Sequence, residues 1–535
     1  MLQAVRIEGL RSLTDTGFID IKPLTILVGE NSSGKSTFLR FFPLLKQSFA
    51  ANTSGPILWG DLSFVDFGTY QEAVQNNSSK GIRFHFKFHL ETSSSSNKIQ
   101  SSSFFGRTII NEDLDIHLMI ELSENVKKET TRVSKIECKI ADSIIKIEIT
   151  EDGKLSKFEV NSSDILQLGA KFDATHFNSR SMLPLIAEID IEKKSLSIGE
   201  RRLMFMLMSK FRIQSFLFDK LYEEVKILSK SAKSEEKILM STSSLCRIGS
   251  SEGLLKQFKK ANNAKYWQDN TSKWTADSTE FQKIRDLAIA ITVPYFIEEC
   301  DRYIFDLSKN ISYVGPARAT AEQRSQRYQE LSINEIDPQG RNLSLFLRNL
   351  DETDKHNFDN WTHQYFGFRT DVQTNFGNIT LNMIFGESEQ KINIADTGFG
   401  FSQMLPIITQ LWMLSQERKD SYNVNTLPII FAIEQPELHL HPRMQKVLTD
   451  VLVSTVKAAK DNNIDLRLLI ETHSEVLVNQ VGNLIYKHSL NSEDVNIVVF
   501  EKFPEENSSR VKPAFYNSEG YLEDWPIGFF DPGVK

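Results

Sequence analysis

The chain opens on alternation: Met1-Leu2-Gln3-Ala4-Val5-Arg6-Ile7-Glu8 sets apolar against polar positions, the period of a strand with one covered face. A continuous apolar run, Leu24-Thr25-Ile26-Leu27-Val28, predicts a strand buried on both faces. From Thr37 to Phe42 the apolar spacing becomes helical. Residues 80–160 return to alternation, as in Ile82–Leu90 and Ile145–Ile149, and predict an antiparallel sheet. The serine runs Ser93–Ser96 and Ser101–Ser103 predict an exposed hairpin loop. Between about 200 and 305, Leu203–Met208, Phe216–Leu228 and Leu254–Phe258 carry helical spacing without sustained heptads, so a helical insertion is expected rather than a long coiled coil. Val314-Gly315-Pro316-Ala317-Arg318 predicts a turn back to the core, and residues 390–500 resume strand–helix alternation around the buried-strand runs Leu427–Ile433 and Leu466–Ile470. No internal repeat is visible. The expected division is 1–200 (first lobe with antiparallel sheet), 201–310 (helical insertion) and 311–535 (second lobe), in an α/β fold.

The bulk numbers narrow the class. A length of 535 residues suggests about two to four domains, and a 40% hydrophobic content suffices for sizeable cores. There is no run of about 18 apolar residues, so no membrane span is expected. The alternating start does not have the form of a signal peptide. Cys138, Cys246 and Cys300 are few and far apart, which suits reduced packing residues and a cytoplasmic setting. A net charge of −8 argues against a surface generally coated by nucleic acid, so any such contact needs a local basic patch.

Chemistry enters at Gly29-Glu30-Asn31-Ser32-Ser33-Gly34-Lys35-Ser36, which fits G-x-x-x-x-G-K-[ST] between a strand and a helix. The glycines let backbone N–H groups turn inward on a phosphate, and the helix N-terminus adds partial positive charge. Lys35 is expected on the β- and γ-phosphates and Ser36 on Mg²⁺, with Thr37 closing the loop. The run Leu427–Ile433 ends in Glu434-Gln435-Pro436-Glu437, placing an acid where a P-loop enzyme needs one beside its metal. The run Leu466–Ile470 ends in Glu471-Thr472-His473-Ser474, which should open onto the same crevice, although Thr472 or Ser474 could equally be a helix cap. A glycine-rich loop, Ala395-Asp396-Thr397-Gly398-Phe399-Gly400-Phe401-Ser402-Gln403, precedes a helix through Leu405, Ile408 and Trp412, a second array of N–H groups at a helix start.

This pairing of loops resembles the ABC-type ATPases of the SMC/RecF/OLD branch. The resemblance implies a P-loop NTPase head, with mixed sheet and helices, carrying an inserted β-rich and helical region. It implies ATP and Mg²⁺ as cofactors and a homodimer, or a higher even oligomer, with two composite sites. By match, Gly29–Thr37 (Gly29, Asn31, Ser32, Ser33, Gly34, Lys35, Ser36, Thr37) is Walker A, Glu434 the Walker B acid and metal residue with Ser36, and His473 the switch histidine. Gly398, Gly400 and Ser402 fall in the signature loop, and Arg11 near the nucleotide. Further hallmarks are Asp66-Phe67-Gly68-Thr69-Tyr70, Val314–Arg318, Glu434–Pro442 and the tail Gly520–Phe530, so the likeness is strong at both ends and slight over 90–310. It points to PtuA-like ATPases of Septu and retron anti-phage defence modules, which work beside an HNH nuclease.

Several features depart from that pattern. Gln435 stands where the catalytic glutamate follows the Walker B acid, and an amide cannot act as general base. Either Glu437 or His473 activates water, or hydrolysis is slow. The signature lacks the L-S-G-G order, which leaves open whether Thr397 or Ser402 meets the γ-phosphate. Between 226 and 273, ten Lys/Arg face four acids, with Tyr266, Trp267 and Trp274 among them. That is either a solvated helical face with inward aromatics or a docking surface for a partner or nucleic acid, retron RNA or DNA included. Only 62 residues follow His473 (535 − 473), too few for a Toprim-type domain of about 100 residues, so cleavage is expected from a separate polypeptide. His439 and His441, spaced i, i+2 beside Pro442, suit a loop better than a metal site. Two rivals stand beside the defence ATPase: a RecF-like DNA repair or maintenance ATPase that binds DNA itself, and a nucleotide-gated scaffold with little hydrolysis. A transporter ATPase fits least.

Overall fold

A computed structural model describes residues 1–61, 64–75, 81–90, 110, 112–126, 129–175, 180–189, 216–229, 235–316, 326–327, 336–375, 378–386, 390–397, 399–415, 427–503 and 508–525. The expectations for Ser93–Ser96, Ser101–Ser103, Leu203–Met208, Ala317–Arg318, Gly398 and the tail from Pro526 lie outside these residues. The chain forms two compact units, one of Met1–Gln3, Ser48–Ile57 and Ser79–Asp306, the other of Ala4–Gln47, Leu58–Ser78 and Leu307–Lys535.

The second unit is built on a seven-stranded sheet in the order Ile311–Val314, Ile429–Glu434, Leu466–Glu471, Leu24–Gly29, Val495–Phe503, Ser508–Tyr516, Leu522–Glu523. The first five strands are parallel and the last two antiparallel. The continuous apolar runs form the central strands because helices cover both faces of a parallel sheet, leaving no solvated face for polar alternation. All six residues of Leu24–Gly29, and all six of Ile429–Glu434, are buried. The helices Phe399–Ser415, Pro442–Asp461 and Glu475–Tyr486 contribute Leu405, Ile408, Leu448, Leu452, Val478 and Val481 to the same core. The Tyr516 hydroxyl donates to the Val478 carbonyl at 2.7 Å.

The first unit holds an antiparallel meander, Ile82–Leu90, Leu114–Asn125, Thr130–Ile140, Ser143–Ile149, Leu155–Val160 and Ser163–Asp164. The helices Phe216–Leu228, Glu235–Leu245, Ser251–Lys260, Lys265–Thr271 and most of Thr279–Lys309 belong with it. The sheet thus groups with the helical segment, not with the P-loop lobe as the 1–200 and 201–310 division had it. The reason is packing. Asp286 on the long helix accepts from Asn161 Nδ2 (2.6 Å) and Ser163 Oγ (2.8 Å), Asp301 accepts from the backbone N–H groups of Met182 and Leu183 (both 2.8 Å), and Tyr303 meets Phe88 edge-on at 4.6 Å. Cys138, Cys246 and Cys300 are buried free thiols, and burial raises all three pKa values. Among the described residues no helix is long and apolar enough to cross a membrane.

Candidate functional site

The site forms where parallel strands of the second unit end together. Leu24–Gly29 stops at the glycine loop, and a five-residue helix, Lys35–Leu39, follows. The loop turns at Gly34, whose φ of 96° lies in the left-handed region. A Cβ there would stand 2.5 Å from Leu13 Cδ2, so backbone conformation and space both demand glycine. Ser32 also has positive φ (60°), and Asn31 and Ser32 are exposed while Ser33 and Thr37 are buried. The Lys35 ammonium folds into its own loop, donating to the carbonyls of Gly29 (3.0 Å) and Glu30 (2.6 Å). Burial lowers its pKa, and the charges of Glu471, Glu30 and Glu437 act against that. Ser33 Oγ is buried without a hydrogen-bond partner.

The two strands beside the loop each end in glutamate, and register sets Glu434 opposite Glu471. Their partners differ. Glu434 is gripped by the Arg40 fork, Nε to Oε1 at 2.6 Å and Nη2 to Oε2 at 2.8 Å, while the Tyr313 hydroxyl donates to Oε1 at 2.8 Å. Burial first, then the Glu434 charge, raises the Tyr313 pKa. Glu471 Oε1 accepts from Ser36 Oγ at 2.8 Å, and its Oε2 is buried with no partner. Burial, followed by the charge of Glu434, pushes the Glu471 pKa up to about 7. The carboxylate at the Ser36 hydroxyl is that of Glu471, while Glu434 pairs with Arg40 and Tyr313. Arg40 can reach Glu434 because the first helix stops there. Pro43 has no N–H for the Leu39 carbonyl, so a new helix, Phe41–Ala50, begins.

The other expected residues surround this pair. Arg11 (φ 50°) donates from Nη2 to the Asp66 carbonyl at 3.1 Å and lies over the Phe67 ring, 4.5 Å from its centroid, so Asp66-Phe67 serves as its seat. Burial and then the nearby Arg40 charge lower its pKa. Gln435 has φ 44° and donates its backbone N–H to the Glu471 carbonyl at 2.9 Å. A non-glycine residue held there marks strain of about 1–3 kcal/mol, a frequent mark of functional loops. Glu437 Oε1 accepts the His473 backbone N–H at 2.8 Å, which makes it a support of the histidine turn. The His473 imidazole is exposed, and partial covering, then the Lys35 charge, lowers its pKa. Ser474 caps the helix Glu475–Tyr486 through Leu477 N–H (3.0 Å), and His441 caps Pro442–Asp461 through Arg443 N–H (3.2 Å). Among the described residues no group of three or more His, Cys, Asp or Glu gathers as a metal cage.

The signature segment is built differently from its expectation. Gly400 lies in the first turn of Phe399–Ser415, where a Cβ would sit 3.1 Å from the His439 carbonyl, so this glycine permits close approach of two loops. Ser402 is buried, at 0% exposure. The Thr397 hydroxyl donates to the Ile394 carbonyl at 2.7 Å. In the first unit Trp267 is 0% exposed with its indole N–H on the Phe258 carbonyl (3.0 Å), and Trp274 is buried against it, leaving only Tyr266 of those three aromatics in solvent. The inward packing of these indoles removes them from any stacking surface.

Sequence reasoning named Glu471 only as part of the polar cluster that closes its strand, without a role of its own, and missed Arg40 and Tyr313. The signal for Glu471 was present: two apolar runs each closing on Glu. Arg40 lies four residues after Ser36, one helical turn along the same face.

The chain is similar to known proteins. Over 111 residues it is 30% identical to Endonuclease GajA of Bacillus cereus (strain HuB5-5), a match spanning 19% of this chain and 16% of that protein. The Smc head domain with an extended coiled coil bound to the C-terminal domain of ScpA, from Pyrococcus furiosus, matches at 12% identity over 96% of both chains with a TM-score of 0.32. The SMC head domain from Thermotoga maritima matches at 8% identity, covering 96% of this chain and 98% of that one, again with a TM-score of 0.32. The AAA_15 family, an AAA ATPase domain, matches residues 1–478, and with a P-loop head built on a five-strand parallel core the chain belongs to that ATPase family.

Proposed function

We propose that this chain binds ATP with Mg²⁺ on the loop Gly29–Thr37, closes as a homodimer on the nucleotide, and thereby gates a separate effector nuclease in anti-phage defence. The observation that carries the ATP reading is the loop itself. Lys35 is bound only to loop carbonyls, Ser36 points at a buried carboxylate, and Ser33 Oγ is buried without a partner. Such groups fit a phosphate chain and a hard cation, since Mg²⁺ keeps several waters and takes few protein oxygens. When bound, the cation neutralises charge that develops on the transferred phosphoryl group. Lys35 neutralises phosphate charge, the loop orients it, and His473 stands at the mouth, able to contact the γ-phosphate. Support for the nuclease link is the likeness to an endonuclease over 111 residues. A PtuA-like role beside an HNH-type partner is the form this proposal takes.

Hydrolysis is slow in this reading, because Gln435 carries no base and Glu437 is engaged by the His473 backbone. The test is steady-state ATP turnover by wild type and Lys35→Ala, with mass measured by light scattering with and without ATP. Lys35-dependent turnover and an ATP-dependent doubling of mass are expected. Turnover that survives Lys35→Ala overturns the assignment of the loop. Co-purification from the native host identifies the effector; recovery of DNA with no nuclease favours the RecF-like alternative.

A further inference from the structure

We propose that the paired helices Ser251–Lys260 and Lys265–Thr271 form a docking surface for the phosphate backbone of duplex DNA, through Lys256, Lys259, Lys260, Lys265 and Lys273. This goes beyond the ATP reading and does not rest on it, since these residues belong to the first unit. Residues 256–273 hold five lysines and one acid, Asp269, a local charge of +4 (5 − 1) in a chain of net charge −8. Lys256, Lys260, Lys265 and Lys273 are exposed, and Lys259 is half-buried.

The missing counter-charge sets these lysines apart. Elsewhere in the same unit lysines meet acids: Lys135 and Glu137 at 2.8 Å, Lys157 and Glu159 at 3.0 Å, Lys283 and Glu224 at 2.7 Å. Among the described residues none of the five forms an ion pair, although Glu252 and Asp269 stand four residues from Lys256 and Lys265 on the same helices. Lys256, Lys259 and Lys260 lie one helical turn apart, where like charges repel. The Lys259 ammonium donates to the Ser272 carbonyl at 3.3 Å, which brings this turn to the residue before Lys273. Lys259 and Lys260 complement the C-terminal dipole of their helix. Lys265 does the reverse: it opens the next helix, where a cation is disfavoured, and no acid stands in that first turn. Repulsion gathered in this way opposes folding, and a polyanion from outside relieves it.

The platform behind the lysines is fixed. Gln268 Nε2 donates to the carbonyls of Lys259 and Asn262, both at 2.7 Å, and ties the two helices together. Phe258 packs on Phe281 at 5.6 Å, Trp274 on Phe281 at 6.3 Å, and Trp267 on Trp274 at 6.4 Å. With those rings turned inward, the outer face offers charge and little apolar area. Protein interfaces have an apolar core and are depleted in lysine, so the face suits a polyanion better than an acidic protein. Single strands are held by bases stacked on exposed aromatics, and here only Tyr266 is exposed, at 38%. Duplex RNA is recognised through its 2′-hydroxyls across the minor groove, a task for short polar side chains rather than for point charges on long stems. Duplex DNA presents one charge per about 1.7 Å of axis, and hydrated lysine ammonium groups meet it without reading bases.

The test uses the full chain without nucleotide and a labelled mixed-sequence DNA duplex, followed by fluorescence anisotropy between about 50 and 200 mM NaCl. Each lysine that neutralises a phosphate adds about 0.9 to the fall of log affinity with log salt, so a slope of about −4 is expected for wild type. Lys256→Gln with Lys259→Gln and Lys260→Gln should flatten that slope by about 2–3, while the same three changed to arginine should keep it. Lys135→Gln with Lys157→Gln, at paired lysines of the same unit, should leave it unchanged. Should the triple variant fail to fold by circular dichroism, Lys265→Gln with Lys273→Gln replaces it, with a flattening of about 2. No binding of the DNA duplex by wild type, or a wild-type slope in the glutamine variants, overturns the proposal. So does tighter binding of the single strand, of an RNA duplex of the same sequence, or of polyglutamate. Because no nucleotide is present, none of these results bears on the ATP reading, which turnover by Lys35→Ala decides separately.

Discussion

Removing Arg40 should expose how much the second unit depends on its pairing with Glu434. In Arg40→Met the Glu434 carboxylate, with 3% side-chain exposure, keeps Tyr313 but loses both guanidinium contacts. Stranding a buried charge costs about 3–5 kcal/mol. Arg40 itself is 31% exposed at the side chain, so water reaches part of the vacated space and the expected loss is about 2–3 kcal/mol. Adding Glu434→Gln removes the stranded charge, and the double variant should lie within about 1 kcal/mol of wild type. The coupling between the sites, the two single losses summed minus that of the double variant, is then at least about 1 kcal/mol. Because a chain with two units need not unfold in one step, native-state hydrogen exchange is the appropriate assay. The readout is the opening free energy of amides Ile430–Glu434, compared across the four members of the cycle. A loss below about 1 kcal/mol in Arg40→Met refutes the reasoning, as does a double variant as unstable as the sum of the singles.

Other outcomes follow from the same geometry. Gly34→Ala should cost about 2–4 kcal/mol, from left-handed strain plus the 2.5 Å clash with Leu13, and should abolish nucleotide binding in a filter or calorimetric assay. Trp267→Ala should cost about 3–5 kcal/mol in thermal unfolding of the first unit while leaving retention on immobilised DNA or RNA as in wild type, since the indole is core. For Glu471, a folded pKa raised from 4.5 to about 7 means that the folded state binds more protons than the unfolded state between those values. The associated stability is present below pH about 4.5 and is lost as pH rises through about 7, by about 2–4 kcal/mol. Exchange of the Leu468–Glu471 amides at pH 5 and pH 8, corrected for intrinsic rates, should show this slope in wild type and a flatter one in Glu471→Gln.

How much could be read beforehand depended on range. Leu24–Val28, Leu427–Ile433 and Leu466–Ile470 were legible because a strand covered on both faces must be apolar throughout, whatever its neighbours. Gly29–Ser36 was legible because loop chemistry is local: the left-handed turn at Gly34 and the adjacent Lys-Ser pair occupy eight consecutive residues. The grouping of the meander with the later helices was not, since it turns on contacts such as Asn161 with Asp286, 125 residues apart. The burial of Ser402 was within reach. It precedes Leu405 by three residues and Thr409 by seven, on the buried stripe of its own helix.

The different partners of Glu434 and Glu471 could not have been read from the chain, and the reason lies in what distinguishes equivalent acids. Both end buried strands, and both follow an apolar run. What separates them is which strand adjoins Leu24–Gly29: Leu466–Glu471 pairs with it directly, whereas Ile429–Glu434 is one strand further out. The adjacent strand brings Glu471 to Ser36 at the loop, while the outer strand lies between Glu471 and Ile311–Val314 and so leaves Glu434 to Tyr313 and Arg40. Strand order, fixed by the whole sheet, thus decides which partners each carboxylate meets. An acid can be found by its motif, but the side chains that hold it are set by strands far away in the chain.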